Sequence, residues 1–331
     1  MFVGDVGRPD LLEEAAGEAG SREESARALC QSIQKFGELD DFLEVLPGHG
    51  AGSSCGKAIG SIPFSTVGYE KRSNPSVSTA LNGDEASFVD EILAGQPAPP
   101  MYFARMKNTN RDGVPLYSEL PQVSLMQSEE LPEALTAELE NRPVILDTRS
   151  DRTDFAAHHL IGSIYAPFGA LFSEAAGSYL NPDHSLFLLL ESKDQLEDCV
   201  RQLVRIGLDK IKGAALASEA LKYPGCNPLI QQIPTVSIQS LPPEEGKVLD
   251  VRSSDEYAKA HVPGAINVPH TRIVADAGQL PDKETPLSVH CGSGMTASLA
   301  CAALARMGYQ VTLADGLFSG WKEQAGKIAT E

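Results

Sequence analysis

The feature that most constrains this chain is an internal repeat. Ile145-Leu-Asp-Thr-Arg149 recurs as Val248-Leu-Asp-Val-Arg252, Phe155 corresponds to Tyr257, His159 to His261, and Gly162-Ser-Ile-Tyr-Ala-Pro167 to Gly264-Ala-Ile-Asn-Val-Pro269. Equivalent positions stay 101 to 103 residues apart, through to Ile206-Gly-Leu208 against Met307-Gly-Tyr309. Within each copy, short apolar runs such as Leu186-Phe-Leu-Leu-Leu190 alternate with helical stretches, the pattern of βα units on a parallel sheet. Two tandem α/β domains with parallel sheets are therefore expected, at residues 123–229 and 233–331.

The second copy carries a stretch that the first lacks, Ser288-Val-His-Cys-Gly-Ser-Gly-Met-Thr-Ala-Ser298. A strand ends at Cys291, and Gly292 and Gly294 free the backbone to curl so that N–H groups converge on the sulfur. Thr296 or Ser298 is placed to cap the helix that follows, which reads through Leu299, Ala303 and Met307. The positive end of that helix then faces the sulfur and favours a thiolate or persulfide anion. Free cysteine is among the most buried residue types, so a structural thiol is the plain alternative; the order of strand, Cys-Gly-x-Gly and helix argues against it. Aligning the copies through Gly207 and Gly308 puts Leu190 opposite Cys291 and Glu191-Ser-Lys-Asp194 in place of the loop. The first copy thus has no nucleophile, and its carboxylates would repel an anionic donor.

Composition narrows the partners. A formal net charge of −18 over 331 residues opposes binding to nucleic acid or an anionic membrane through bulk electrostatics. No apolar run approaches the ~18 residues of a spanning helix, and Met1-Phe-Val-Gly-Asp5 lacks the basic and apolar regions of a signal peptide, so a cytoplasmic address is expected. The six cysteines include no C-x-x-C pair, which fits a reducing compartment better than a disulfide framework or a zinc site. Cys199 reads as a core residue and Cys226 as a linker thiol.

Residues 1–120 read differently from the repeats. An alanine- and glutamate-rich helix ends near Gly37, Phe42-Leu-Glu-Val-Leu-Pro47 reads as a strand leading to a Gly-His-Gly turn at His49, and Asp84 to Leu93 reads as a helix. The stretch from Gly95 to Gln122, with Pro97-Ala-Pro-Pro100, reads as a tail and linker. By spacing alone His49 is a turn residue, because a metal site needs three or four ligands.

Two resemblances add to this. Phe2-Val-Gly-Asp-Val-Gly-Arg-Pro-Asp10, Leu46-Pro-Gly-His-Gly-Ala-Gly-Ser-Ser-Cys-Gly-Lys57 and Thr66-Val-Gly-Tyr-Glu-Lys-Arg-Ser-Asn-Pro75 resemble the later half of a metallo-β-lactamase-fold domain of the persulfide dioxygenase and glyoxalase II type, with an α+β architecture. That resemblance implies iron or zinc held by an early His-x-His-x-Asp-His motif, a later histidine, an aspartate before the Phe-Val-Gly string and the Gly-His-Gly histidine. Of these the chain retains only His49; it has no His-x-His, and Asp5 lies past the aspartate's place. No cofactor is therefore expected in this chain, iron or zinc entering only if the missing ligands are supplied, and dioxygenase or hydrolase activity is not expected. A sandwich without its first half leaves apolar surface uncovered, so packing on the repeats or a homo-oligomer through residues 1–120 is expected.

The repeat resembles the rhodanese (sulfurtransferase) family in its Asp-x-Arg strand ends, in Glu256-Tyr257 and His261-Val-Pro-Gly-Ala-Ile-Asn-Val-Pro269, and in the Cys291 loop. Asp315-Gly-Leu-Phe-Ser-Gly-Trp321 matches the family's closing Asp-Gly-Gly-x-x-x-Trp except at Leu317. The resemblance implies Cys291 as the sulfur carrier, a persulfide-binding loop of Gly292, Ser293, Gly294, Met295 and Thr296, and Asp250 and Arg252 in support. It implies small sulfur donors and thiol acceptors as partners. Double displacement is the mechanism expected. The loop contains no lysine or arginine, which weakens the case for thiosulfate, and its Cys-Gly-Ser-Gly-x-Thr form is similar to that of mercaptopyruvate sulfurtransferases. The N-terminal resemblance points to low-molecular-weight persulfides. A sulfur-binding or assembly module without turnover is the reading of a different class. A phosphatase is disfavoured, because Ala297 and Ser298 stand where a phosphate-gripping arginine would be needed.

Overall fold

The structure, a computed structural model, describes residues 2–3, 21–47, 64–94, 98–114, 116–131 and 143–325. The chain divides into two units, residues 1–99 with 103–112 and residues 100–102 with 113–331.

The first unit has a small sheet of β1 (Phe2–Val3), β2 (Glu44–Pro47) and β3 (Ser65–Thr66), with helices α1 (Ser21–Gly37), α2 (Val67–Ser73), α3 (Pro75–Leu81) and α4 (Glu85–Leu93). Ala26, Cys30, Ile33 and Phe36 recur at helical spacing on α1 and bury with Val77, Ala80, Phe88 and Ile92 from α3 and α4. Each short helix starts on a side-chain cap: Thr66 accepts from Tyr69 N, Asn74 from Val77 N and Asp84 from Ser87 N. The stretch expected to be linker contains a helix, α5 (Tyr102–Asp112). The prolines flanking it dominate the local reading, whereas Ala104, Arg105 and Met106 are good helix formers. His49 lies outside the described residues.

In the second unit the first copy builds β4 (Val144–Asp147), α6 (Arg152–Ala157), β5 (His159–Leu160), β6 (Ile164–Tyr165), α7 (Phe172–Tyr179), β7 (Leu186–Leu190), α8 (Leu196–Arg205) and β8 (Ile211–Leu216). After a short helix α9 (Ala217–Ala220) and β9 (Ile230–Gln231), the second copy builds β10 (Thr235–Ser237), β11 (Lys247–Asp250), α10 (Ser254–Lys259), β12 (Ile266–Asn267), β13 (Leu287–His290), α11 (Met295–Arg306), β14 (Val311–Asp315) and α12 (Phe318–Ala325). All pairings inside the two main sheets are parallel, in the orders β6-β4-β7-β8 and β10-β14-β13-β11-β12. A parallel bridge of Leu125 to Ala214 stands where β10 stands in the second copy, so the sheets are equivalent strand for strand. Gly207 and Gly308 end α8 and α11 at φ of 72° and 92°, conformations that need glycine, which confirms the alignment drawn through them.

The copies share one apolar cluster, from Val144, Leu188 and Phe172 to Val289, Leu299 and Leu304. Its centre is α11, on which Ala297 through Leu304 are all buried. This helix packs on β6 and α6 of the first copy as well as on β13 and β14 of its own. Arg306 Nη1 also donates to Gly162 O across the copies at 2.9 Å. Cys226, read as a linker thiol, is fully buried beside Leu131 and Leu160, because the connection between copies folds back onto the first sheet. Truncating Leu304 to alanine leaves a cavity at this junction and is expected to cost about 2–5 kcal/mol. In denaturant titrations both copies should then unfold in one earlier transition; two separated transitions would contradict the shared core.

Candidate active site around Cys291

Cys291 follows β13 directly, with its side chain almost wholly enclosed. Gly294 N donates to Cys291 Sγ at 3.1 Å. Gly294 itself is the cap of α11, at φ 91°, and a Cβ there would lie 2.1 Å from Asp315 Oδ1. Glycine is thus required twice over, for its backbone angle and for the space. Thr296 and Ser298 do not cap the helix: Ser298 Oγ donates back to Gly294 O at 2.9 Å, because a hydroxyl inside the first turn reaches the carbonyl four residues behind it. Met295 and Thr296 belong to the first turn of α11, and only Gly292 and Ser293 form the exposed tip of the loop. Phe318 N donates to Gly292 O at 3.0 Å, tying the loop to α12. Leu317, beside it, is largely exposed.

Asp250 and Arg252 brace the strand end. Arg252 Nε lies 2.9 and 3.1 Å from the two Asp250 oxygens, its Nη2 donates to Ala260 O at 2.8 Å, and its guanidinium sits 3.7 Å over the Phe318 ring. The first copy repeats the arrangement: Arg149 Nε is 3.0 and 3.1 Å from the Asp147 oxygens and Nη2 donates to His158 O at 2.8 Å. The pair is the same in a copy with Leu190 in place of the cysteine, so its role is to hold the strand end. His261 and His159 likewise bond the carbonyl four residues back and stack on Tyr257 and Phe155. His290 is fully buried and stacked on Phe318, and burial holds its imidazole below the usual value against the pull of Asp250. Cys301 is pushed far up by burial and by Cys291, and Cys199 up to about 12 by burial and then Asp198, so both stay protonated thiols.

One residue near the loop escaped sequence reasoning. Arg152, at the start of α6 in the first copy, donates through Nη2 to Ser293 O at 3.4 Å and through Nη1 to Asp315 Oδ2 at 3.2 Å. It lies 141 residues before Ser293, and no motif marks it. Among the described residues, no group of three or more His, Cys, Asp or Glu side chains is arranged to hold a metal, and no helix is long and apolar enough to cross a membrane.

Comparison with known proteins defines the class. Residues 238–324 match the family model of the rhodanese-like domain, and that part of the chain is a rhodanese-like domain. More particular likenesses are to thiosulfate sulfurtransferase GlpE of Shewanella oneidensis, 29% identical over 31% of this chain and 95% of that one, and to 3-mercaptopyruvate sulfurtransferase of Escherichia coli K12, 35% identical over 20% of this chain and 29% of that one. Among solved structures, a metallo-beta-lactamase from Staphylococcus aureus subsp. aureus COL is similar at 34% identity and a TM-score of 0.49, covering 65% of this chain and 56% of that one. The chain spans 52% or less of the length of several curated relatives that it matches.

His270, which opens the turn after β12, sits with Nε2 3.4 Å from Glu174 Oε1 on α7. Burial pushes His270 down to about 4 and raises the Glu174 carboxyl, so the imidazole is uncharged near neutral pH. As pH falls from about 6.5 to 4, the unfolded chain takes up the His270 proton before the folded one, and stability should drop by up to about 3 kcal/mol. Glu174 acts in the opposite sense, because its raised carboxyl favours the folded form until pH rises through that value. His270→Gln should flatten the loss of stability between those limits in chemical denaturation at a series of pH values. An unchanged slope would contradict the assignment.

Proposed function

We propose that the chain is a rhodanese-type sulfurtransferase that moves sulfane sulfur from a low-molecular-weight persulfide or thiosulfate to a thiol, cyanide or sulfite. The observation that carries this reading is the Cys291 sulfur at a strand end, accepting from Gly294 N–H where α11 begins. That setting offers an anionic sulfur a preorganised donor and the positive end of a helix of 12 residues. In the first half-reaction the Cys291 thiolate attacks the outer sulfur of the donor; a new S–S bond forms and the donor's bond to that sulfur breaks. The reduced donor, a thiolate or sulfite, leaves with the electron pair. In the second, the acceptor attacks the terminal sulfur and Cys291 departs as thiolate. The steps use no cofactor, and iron or zinc would enter only with ligands that this sequence lacks.

Mercaptopyruvate is the second donor to consider, on the strength of the Cys-Gly-Ser-Gly-x-Thr loop and the similarity to a 3-mercaptopyruvate sulfurtransferase. We further propose a cytoplasmic site of action within sulfide and persulfide metabolism, small-molecule donors and acceptors with neither nucleic acid nor membrane as partner, and self-association through residues 1–120. Incubation with glutathione persulfide, thiosulfate or mercaptopyruvate should add one sulfur to the Cys291 peptide in the mass spectrum, and a thiol acceptor should remove it. Cys291→Ser should abolish transfer, whereas Cys226→Ser should leave it intact. Failure of all three donors to load Cys291 would favour a sulfur-binding module without turnover.

A further inference from the structure

The first copy has lost the cysteine but supplies the Cys291 loop with its cation. Neither Cys291 nor any residue from Gly292 to Ser298 is basic, yet the Arg152 guanidinium carbon stands 3.2 Å from the point where a Gly294 Cβ would lie. Gly294 is also the residue whose N–H bonds the sulfur. Arg152 is a quarter exposed; Nη1 donates to Asp315 Oδ2, while Nη2 lies 3.1 Å from Asp315 Oδ1 and donates to Ser293 O, contacts that take up at most three of its five N–H donors. Asp315 comes from the end of β14, so the charge is held at the junction of the two copies. The exposed loop tip of Gly292 and Ser293 lies beside it.

We infer that Arg152 is a specificity-determining residue of the Cys291 site, recognising the anionic oxygen group, sulfonate or carboxylate, of an incoming sulfur donor. An arginine presents a planar fork of donors that matches such groups, and its charge survives at any physiological pH. Asp315 holds the guanidinium in place and balances its formal charge, so an anion arriving at the loop tip is recognised by the guanidinium N–H donors that Asp315 and Ser293 leave over. The degenerate copy therefore sets which donors the active copy accepts.

This inference rests on Cys291 being the reactive thiol, and its test is independent of sulfur transfer. The rate of Cys291 alkylation, followed by mass spectrometry of its peptide, is compared for iodoacetate and iodoacetamide, which share chemistry and differ in one negative charge. In each case the sulfur bonds to carbon and iodide leaves. Arg152→Gln should lower the iodoacetate to iodoacetamide rate ratio on the order of fivefold, the effect of one charge a few ångströms away. Arg152→Lys should restore most of it, and Asp315→Asn should raise the ratio above that of the parent. A ratio unchanged by Arg152→Gln, or equal losses with both reagents, would overturn the inference and reduce Arg152 to a brace between copies. If no donor loads Cys291, the ratio still reports on Arg152; if the ratio does not move, sulfur transfer still stands. In the transferring protein, Arg152→Gln should cut kcat/KM for thiosulfate and mercaptopyruvate and spare a neutral dialkyl trisulfide. Loss with thiosulfate alone assigns the sulfonate, and loss with mercaptopyruvate alone the carboxylate.

Discussion

The structure of the repeat unit depends on burying α11 from every side. Eight consecutive residues of this helix are buried, and β6 and α6 of the other copy cover it together with β13 and β14 of its own. A helix rich in Ala, with Leu299 and Leu304 as its only large aliphatic side chains between Met295 and Arg306, cannot stay in water by its own propensity; its position depends on tertiary packing. The N-terminus of α11 forms one wall of the Cys291 loop, so the geometry at the sulfur is inherited from that packing. This gives the first copy a structural reason to persist without a nucleophile.

Duplication separates support from chemistry. The Asp-Arg pair, the histidine four residues after an aromatic ring and the helix-ending glycine have the same geometry in both copies. Whatever the two share cannot be what sets the copy with the cysteine apart from the copy without it. What differs is local to the loop: Cys291 with Gly292 and Gly294 in one copy, and Leu190 followed by a turn capped by Ser192 in the other. In the first copy Glu191 turns back to accept from Ser150 N and Oγ, a carboxylate where the second copy has an open loop.

Much of this was legible in the residues. The repeat spacing located both sheets, and the order of strand, Cys-Gly-x-Gly and helix located the sulfur, because those features depend on contacts a few residues apart. The cap of α11 was misplaced, since a glycine at φ 91° can start a helix with no side-chain acceptor and leave Ser298 to bond backwards. The helix at Tyr102–Asp112 was missed because prolines on its flank are a louder signal than the helix formers within. The burial of Cys226 was missed because it depends on where a connection folds, which no local pattern encodes.

By itself the sequence determined that the chain carries two α/β copies, that one of them has the sulfur and that the other does not, because strand alternation, glycine positions and a cysteine at a strand end are local properties. Only the tertiary structure decided that the loop has a cation at its edge, that α11 is sealed by both copies, and that the Asp-Arg pair is scaffold. The physical reason is distance along the chain. Arg152 and Ser293 are 141 residues apart, and nothing in either segment specifies the other until two sheets pack on one helix and bring a guanidinium to a loop that has no positive charge of its own.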